Sequence, residues 1–310
     1  MKKFIPLLST IALLAGCATK GPTNLEVSVL CPTGAPALAF YNYAQDSNFE
    51  TNSNASEGIL PLMLKGEKDV VILPTNAGVQ AITKKNAPYK LAATITFGNV
   101  FLASTGHDAD NTLNDGDYIV LFSQGQVPDL LFHYVFGTSL DSNAHYVANG
   151  TDAAKCLKTG KNMTSANEDV DYVLIAEPAL QNVMNTTPNV KIAKNIQEEY
   201  KAKSNGLEIF QASVFVNNNL DNNKAKSFLK QLEKDVKDGL KDNKKVSDGL
   251  AKAENLTGLY GVPSVEVVEQ TFANNNSMGL GFKNAKENKG AIDNFLSLFK
   301  IETTNEEIYF

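Results

Sequence analysis

The sequence predicts an α/β fold of two doubly wound lobes with a cleft between them. Three observations carry that reading. Short apolar strand-like runs alternate with helical segments from residue 25 to the end, the rhythm of βαβ units. Residues 69–73 (DVVIL) are apolar without alternation, as in a parallel strand covered on both faces. The 310 residues exceed one ordinary core, and no internal repeat of fixed period divides them.

The elements follow in order. Residues 25–30 (LEVSVL) read as a strand, ended by Pro32-Thr33-Gly34-Ala35-Pro36. A helix over 37–43 follows, with Pro36 placed where a first-turn amide would be unpaired anyway. Residues 56–65 read as a helix closed by Gly66, with Pro61 an obstacle inside it. The strand at 69–73 runs into Pro74-Thr75-Asn76 and a helix to about residue 82, and 91–97 is a further strand. A second lobe starts at residue 104, with strands at 118–122, 144–148, 171–175 and 190–193. Helices over 130–136, 151–157 and 178–184 separate them. The chain then returns to the first lobe through a long apolar strand at 207–216. Helices over 221–242, 263–272 and 285–299 complete it, with residues 274–282 a loop that borders the cleft. In 221–242, Phe228, Leu229, Leu232, Val236 and Leu240 form one stripe, and the charged residues opposite read as a solvated face. The expected division is lobe 1 at 25–103 with 205–310, and lobe 2 at 104–204.

The first residues differ in kind. Lys2 and Lys3 precede an apolar stretch over 4–15, too short to span a bilayer and suited to a signal peptide. Leu14-Ala15-Gly16-Cys17 resembles the bacterial lipobox, which implies cleavage before Cys17 and lipid on its sulfur and new amino terminus. Several acyl chains would anchor the chain firmly, since one alone binds only marginally. Residues 18–24 then read as a tether, and the expected location is extracytoplasmic, on the cell membrane.

Composition excludes several classes. The net charge of −6 and the lack of a basic cluster interleaved with aromatics exclude nucleic acid as a partner. Cys31 and Cys156 lie far apart and are expected to remain thiols, not to staple the fold. Neither Cys-x-x-Cys nor His-x-x-x-His spacing occurs, so no zinc or other metal site and no cofactor is expected. No Gly-x-Ser-x-Gly elbow or Gly-x-x-x-x-Gly-Lys loop is present, and no catalytic residue is assigned. His107 and His145 show no nucleophile or carboxylate partner, and His133 reads as a packed helix residue. Asp108, Asp110, Asp115 and Asp117 read as a solvated turn.

Three strand ends share one design: an apolar strand, a small or Pro-containing turn, then a helix. They are Thr33-Gly34-Ala35, Thr75-Asn76-Ala77 and Gln124-Gly125-Gln126. Ligands of open α/β sheets bind beyond such carboxyl ends, where helix N-termini offer N–H groups. Asn99, at the lobe boundary, and Glu177, before Pro178, are further candidates. Phe40, Tyr41 and Tyr43 at helical spacing fit the core better than a stacking platform.

Four segments resemble substrate-binding proteins of ABC importers, in the group related to thiamine-precursor and aliphatic-sulfonate binders. They are VSVLCPTGAPALAF, GEKDVVILPTNAG, GQVPDLLFHYVFG and VDYVLIAEPAL, and they fall in the family's order. The resemblance implies a type 2 periplasmic-binding-protein fold and a monomer. It implies capture of a small molecule by lobe closure, and delivery to a permease driven by a separate ATPase. It also implies ligand contacts at Thr33, Gly34, Ala35, Thr75, Asn76, Gln124, Gly125 and Glu177. The chain contains no Arg, the usual bidentate oxyanion clamp, which favours an uncharged or weakly charged heterocycle over a sulfonate. Two alternatives stand beside this: an enzyme of pyrimidine or menaquinone-type biosynthesis on the same fold, and a surface interaction lipoprotein that transports nothing.

Overall fold

The computed structural model describes residues 24–106, 113–162, 167–274, 277–303 and 306–310. The chain opens with β1 (Val29–Pro32), α1 (Ala35–Leu38), a 3-10 turn and β2 (Phe49–Asn52). A π-helical turn leads into α2 (Leu60–Lys65), β3 (Val70–Pro74), α3 (Thr75–Lys85) and β4 (Tyr89–Thr96). Next come β5 (Val100–Ser104), β6 (Ile119–Phe122), α4 (Val127–Phe136), β7 (Ala144–Val147) and α5 (Gly150–Thr159). The short antiparallel pair β8 (Lys161–Asn162) and β9 (Glu168–Asp169) precedes β10 (Tyr172–Ala176), α6 (Ala179–Thr186), β11 (Lys191–Asn195) and α7 (Ile196–Lys203). Then follow β12 (Ala212–Asn217), α8 (Asn222–Lys241), α9 (Asn243–Leu250), α10 (Leu256–Tyr260) and α11 (Val265–Ala273). β13 (Leu280–Asn284) and α12 (Lys289–Ser297) complete the chain. The leader, Cys17, the tether to residue 23, His107, Asp108 and Asp110 lie outside the described residues.

Two sheets organise these elements. The larger has the order β13-β4-β12-β3-β1-β2, the smaller β11-β5-β10-β6-β7. β1, β2 and β3 are parallel, and β12 runs antiparallel between β3 and β4. In the smaller sheet β10, β6 and β7 are parallel, and β5 returns antiparallel beside β10. The chain is therefore mixed α/β with two sheets, as the periodicity predicts. β3 shows why its run is apolar throughout. Val71 and Leu73 join one hydrophobic cluster, Val70 and Ile72 the cluster on the other face.

Four expectations need correction. The smaller sheet begins with β5 at Val100, inside the stretch assigned to lobe 1, because the chain crosses between sheets at residues 97–99. The run at 207–216 is a strand only from Ala212. Ile209 and Phe210 are apolar because they are buried where the chain crosses back, not because they pair in a ladder. Residues 280–284 form β13 and not a loop, and α12 begins at Lys289 and not 285. The helix expected over 37–43 divides into α1 and a 3-10 turn, whose Tyr41 and Tyr43 are buried. Pro61 proves compatible with its helix, because α2 begins at Leu60 and places it in the first turn.

α8 packs as its stripe predicts, with Phe228, Leu229, Leu232 and Val236 buried; Leu240 is exposed. Asp221 caps it, accepting from the N–H groups of Asn223 and Lys224 at 3.0 Å each. Leu232 is 1% exposed, so Leu232→Ala removes buried methyl groups with little room to relax. The expected cost is about 3 kcal/mol, read as a lower urea midpoint at unchanged slope.

Candidate functional site

Pairing registers place the ends of both sheets against each other. In the larger sheet Ala212, the first residue of β12, pairs with Pro74 at the end of β3 and Thr96 at the end of β4. In the smaller sheet Ala176 at the end of β10 pairs with Val100 at the start of β5. The turns after β3, β4, β6 and β10 and the two crossing segments thus share one region.

Within it, the expected residues behave differently. Asn76, in the first turn of α3, donates from Nδ2 to the Gly125 carbonyl at 2.9 Å, joining the two sheets' turns directly. Gly125 has φ +73, a conformation that favours glycine, and no atom would meet a Cβ placed there. Asn99 donates from Nδ2 to the Glu177 carbonyl at 2.9 Å, and its own carbonyl accepts the Glu177 N–H at 2.9 Å. Gln124 is exposed beside Gly125.

The turn after β1 makes its contacts within the larger-sheet half. Two of its amides bond there: Thr33 donates to Asn52 O and Gly34 to Tyr260 O. Ala35 is buried, and Thr33 lies against Gly261. Thr75 is fully buried, its hydroxyl 2.7 Å from Ser213 Oγ, which in turn meets Thr94 Oγ1 at 2.8 Å. A hydroxyl in that chain braces α3 against β12.

Sequence reasoning includes Gln126 in the third strand-end turn but misses Gln211 and Thr96. Gln211 precedes β12 and donates from Nε2 to Asn99 Oδ1 at 2.6 Å. Its Oε1 is buried with no protein partner, as are Asn76 Oδ1, Gln126 Oε1 and Thr96 Oγ1. Buried acceptors without donors are costly, so their gathering at one junction is a chemical feature.

Carboxylates stand at two helix starts of the smaller-sheet half, those of α4 and α6, whereas Asn149 and Asn195 cap α5 and α7. Asp129, buried in the first turn of α4, accepts the Gly125 N–H at 2.7 Å. Its other oxygen accepts from the Tyr146 hydroxyl at 2.7 Å and lies 3.1 Å from His133 Nε2. His133 Nδ1 is 3.0 Å from Asp141. His133 therefore has carboxylate partners that the sequence did not reveal, and the network braces the Gly125 turn. His145 stacks on Tyr118 at 3.8 Å between centroids.

Glu177 precedes α6, accepts the Gln181 N–H at 2.9 Å and meets Ser277 Oγ at 3.4 Å. Burial pushes its carboxyl above the ordinary carboxylate range, only partly offset by those two donors. A carboxyl raised in the folded state binds more protons folded than unfolded. Stability therefore falls as pH rises from the ordinary carboxylate value through the raised one. Glu177→Gln is expected to flatten that slope in melting temperature between weakly acidic and neutral pH; parallel profiles would contradict it.

Polar bridges also link α6 with α11 and the segment after it. Asn185 Nδ2 donates to Gln270 Oε1 at 2.6 Å and Asn274 Nδ2 to Gln181 Oε1 at 3.0 Å. Cys31 and Cys156 are buried thiols. Among the described residues no helix is long and apolar enough to cross a membrane, and no cluster of metal-ligating side chains occurs.

This two-sheet architecture is that of the periplasmic-binding-protein fold, and solved structures agree. An ABC transporter structure from Parabacteroides distasonis superposes with TM-score 0.66 at 18% identity, covering 89% of this chain and 92% of that one. The Escherichia coli periplasmic aliphatic sulphonate binding protein SsuA gives 0.58 at 12%, covering 88% of each. A Candida albicans protein described as having the generic periplasmic binding protein fold gives 0.55 at 12%, covering 91% and 92%. No protein-family model matches the chain, and no curated protein matches it.

Proposed function

We propose that this chain is the extracytoplasmic, lipid-anchored solute receptor of an ABC importer. Its two lobes, 25–97 with 212–310 and 100–204, close on a small molecule and deliver it to a permease powered by a separate ATPase. The fold and the Leu-Ala-Gly-Cys sequence at Cys17 support this reading. The observation that carries the choice of site is the group of unpartnered polar atoms beside the Asn76–Gly125 bridge, namely the amide oxygens of Asn76, Gln126 and Gln211 and the Thr96 hydroxyl.

The same site sets the ligand class. Asp129 and Glu177 place carboxylates at the starts of α4 and α6, which disfavours an anion beside them, and the chain has no Arg. Carboxamide oxygens call for donors. The solute is therefore uncharged or weakly cationic and bears N–H or O–H groups, as aminopyrimidine-type heterocycles do. Asn76, Asn99, Gly125, Gln126, Glu177 and Gln211 would surround it.

A thermal-shift screen of amino-heterocycles, amides, vitamins and sulfonates tests the reading. Donor-bearing uncharged compounds should raise the melting temperature and compact the protein in solution scattering. Stabilisation by sulfonates alone would overturn the ligand class, and no response to any compound would count against the receptor.

A further inference from the structure

A second groove lies between α8, β4 and β13, on the larger sheet. It encloses about 520 Å³ and is lined by Leu229, Phe282 and Phe310 beneath Lys90, Lys226, Lys230 and Lys286. Glu233 also lines it, but its carboxylate is held by Lys237 at 2.6 Å. None of the four groove lysines has an ion-pair partner among the described residues. The concentration of unpaired positive charge opposes the chain's net charge of −6.

The groove's position narrows its occupant. β4 runs from Tyr89 toward Thr96 at the cleft, so Lys90 marks the far pole of the larger-sheet lobe. β13 is antiparallel to β4, which places Asn284 and Lys286 away from the cleft as well. Asn24 lies on the other flank of the same helix, near Lys224 and Phe228. Cys17 precedes Asn24 by seven residues, a reach of at most about 25 Å when extended. If Cys17 carries lipid, that pole stands close to the bilayer.

We infer that this groove binds the headgroup of an anionic phospholipid. The lysines meet the phosphate, and Leu229, Phe282 and Phe310 meet the glycerol and upper acyl carbons. The proximity argument rests on the lipid-anchor reading; the groove chemistry does not.

The test uses the unlipidated chain from Asn24 onward, which contains every described strand and helix. It is sedimented with vesicles of phosphatidylcholine alone, or of phosphatidylcholine and phosphatidylglycerol in equal parts. Binding is expected only to the second, weakening with salt and falling roughly 30-fold in the Lys226→Gln/Lys230→Gln double variant. Both lysines are exposed, so the variant should melt like the parent. No binding, equal binding to both vesicles, or binding unchanged in the variant would overturn the inference. So would capture of free glycerol phosphate without vesicle binding, which would mark a soluble-anion site. Mass spectrometry of the cell-derived chain separately reports acylation at Cys17, so failure of the anchor reading and failure of the groove reading remain distinguishable.

Discussion

Asn76→Ala is expected to weaken solute binding roughly 10- to 100-fold, the consequence of leaving buried polar groups unpaired at 1–3 kcal/mol. The side chain does two jobs. Its Nδ2 joins the turn after β3 to the Gly125 carbonyl in the turn after β6. Its Oδ1 is one of the acceptors that the protein itself leaves unsatisfied. Alanine removes both, so the variant loses a ligand contact and a contact that holds the lobes together over it. Asn76→Asp separates the two: it keeps an acceptor and loses the donor, and it places a third carboxylate near Asp129 and Glu177. Isothermal titration with the solute identified in the screen should rank parent above Asp above Ala for a cationic solute. An Ala variant that binds like the parent would remove Asn76 from the site.

Gly78→Val is expected to damage the fold strongly where α3 meets β12. A Cβ at residue 78 would sit 2.1 Å from Phe215 Cζ and 2.3 Å from its Cε2. Phe215 is fully buried in the centre of β12 and cannot swing aside. α3 must therefore lift from the sheet, carrying Thr75 and its bond to Ser213 with it. Overpacking of this kind costs about 3 kcal/mol, and a domain of this size loses roughly 6–12 °C in melting temperature. The reverse substitution at the other side, Phe215→Leu in the Gly78→Val background, should recover part of the loss. No recovery would mean the clash is not the cause.

The parts of this design that the sequence reveals are local ones. DVVIL followed by Pro74-Thr75-Asn76 announces a strand buried on both faces and a helix start, and both are present in β3 and α3. The turn at Gly125 and the helix start after Glu177 are legible in the same way, because Gly, Pro and an acidic residue at a strand end carry positional meaning on their own. Gln211 is not, because it lies in a crossing segment whose apolar neighbours mimic a strand. Its importance comes from Asn99, 112 positions away. Thr75 shows what the turn alone does not reveal: tertiary packing sets its hydroxyl against Ser213. The boundary near residue 100 was displaced for a similar reason. β4 and β5 are separated by three residues, and periodicity alone cannot show a chain passing from one sheet to another. The lysine groove draws on β4, α8 and the segments around β13 and Phe310, so no window of sequence contains it.

Native mass spectrometry of the protein purified from its own cells tests the central claim most directly. The parent is expected to carry one small, uncharged or cationic, donor-bearing molecule per chain, and the Asn76→Ala/Gln211→Ala variant to carry none. An anionic occupant, or equal retention by parent and variant, would contradict a site built from those unsatisfied acceptors.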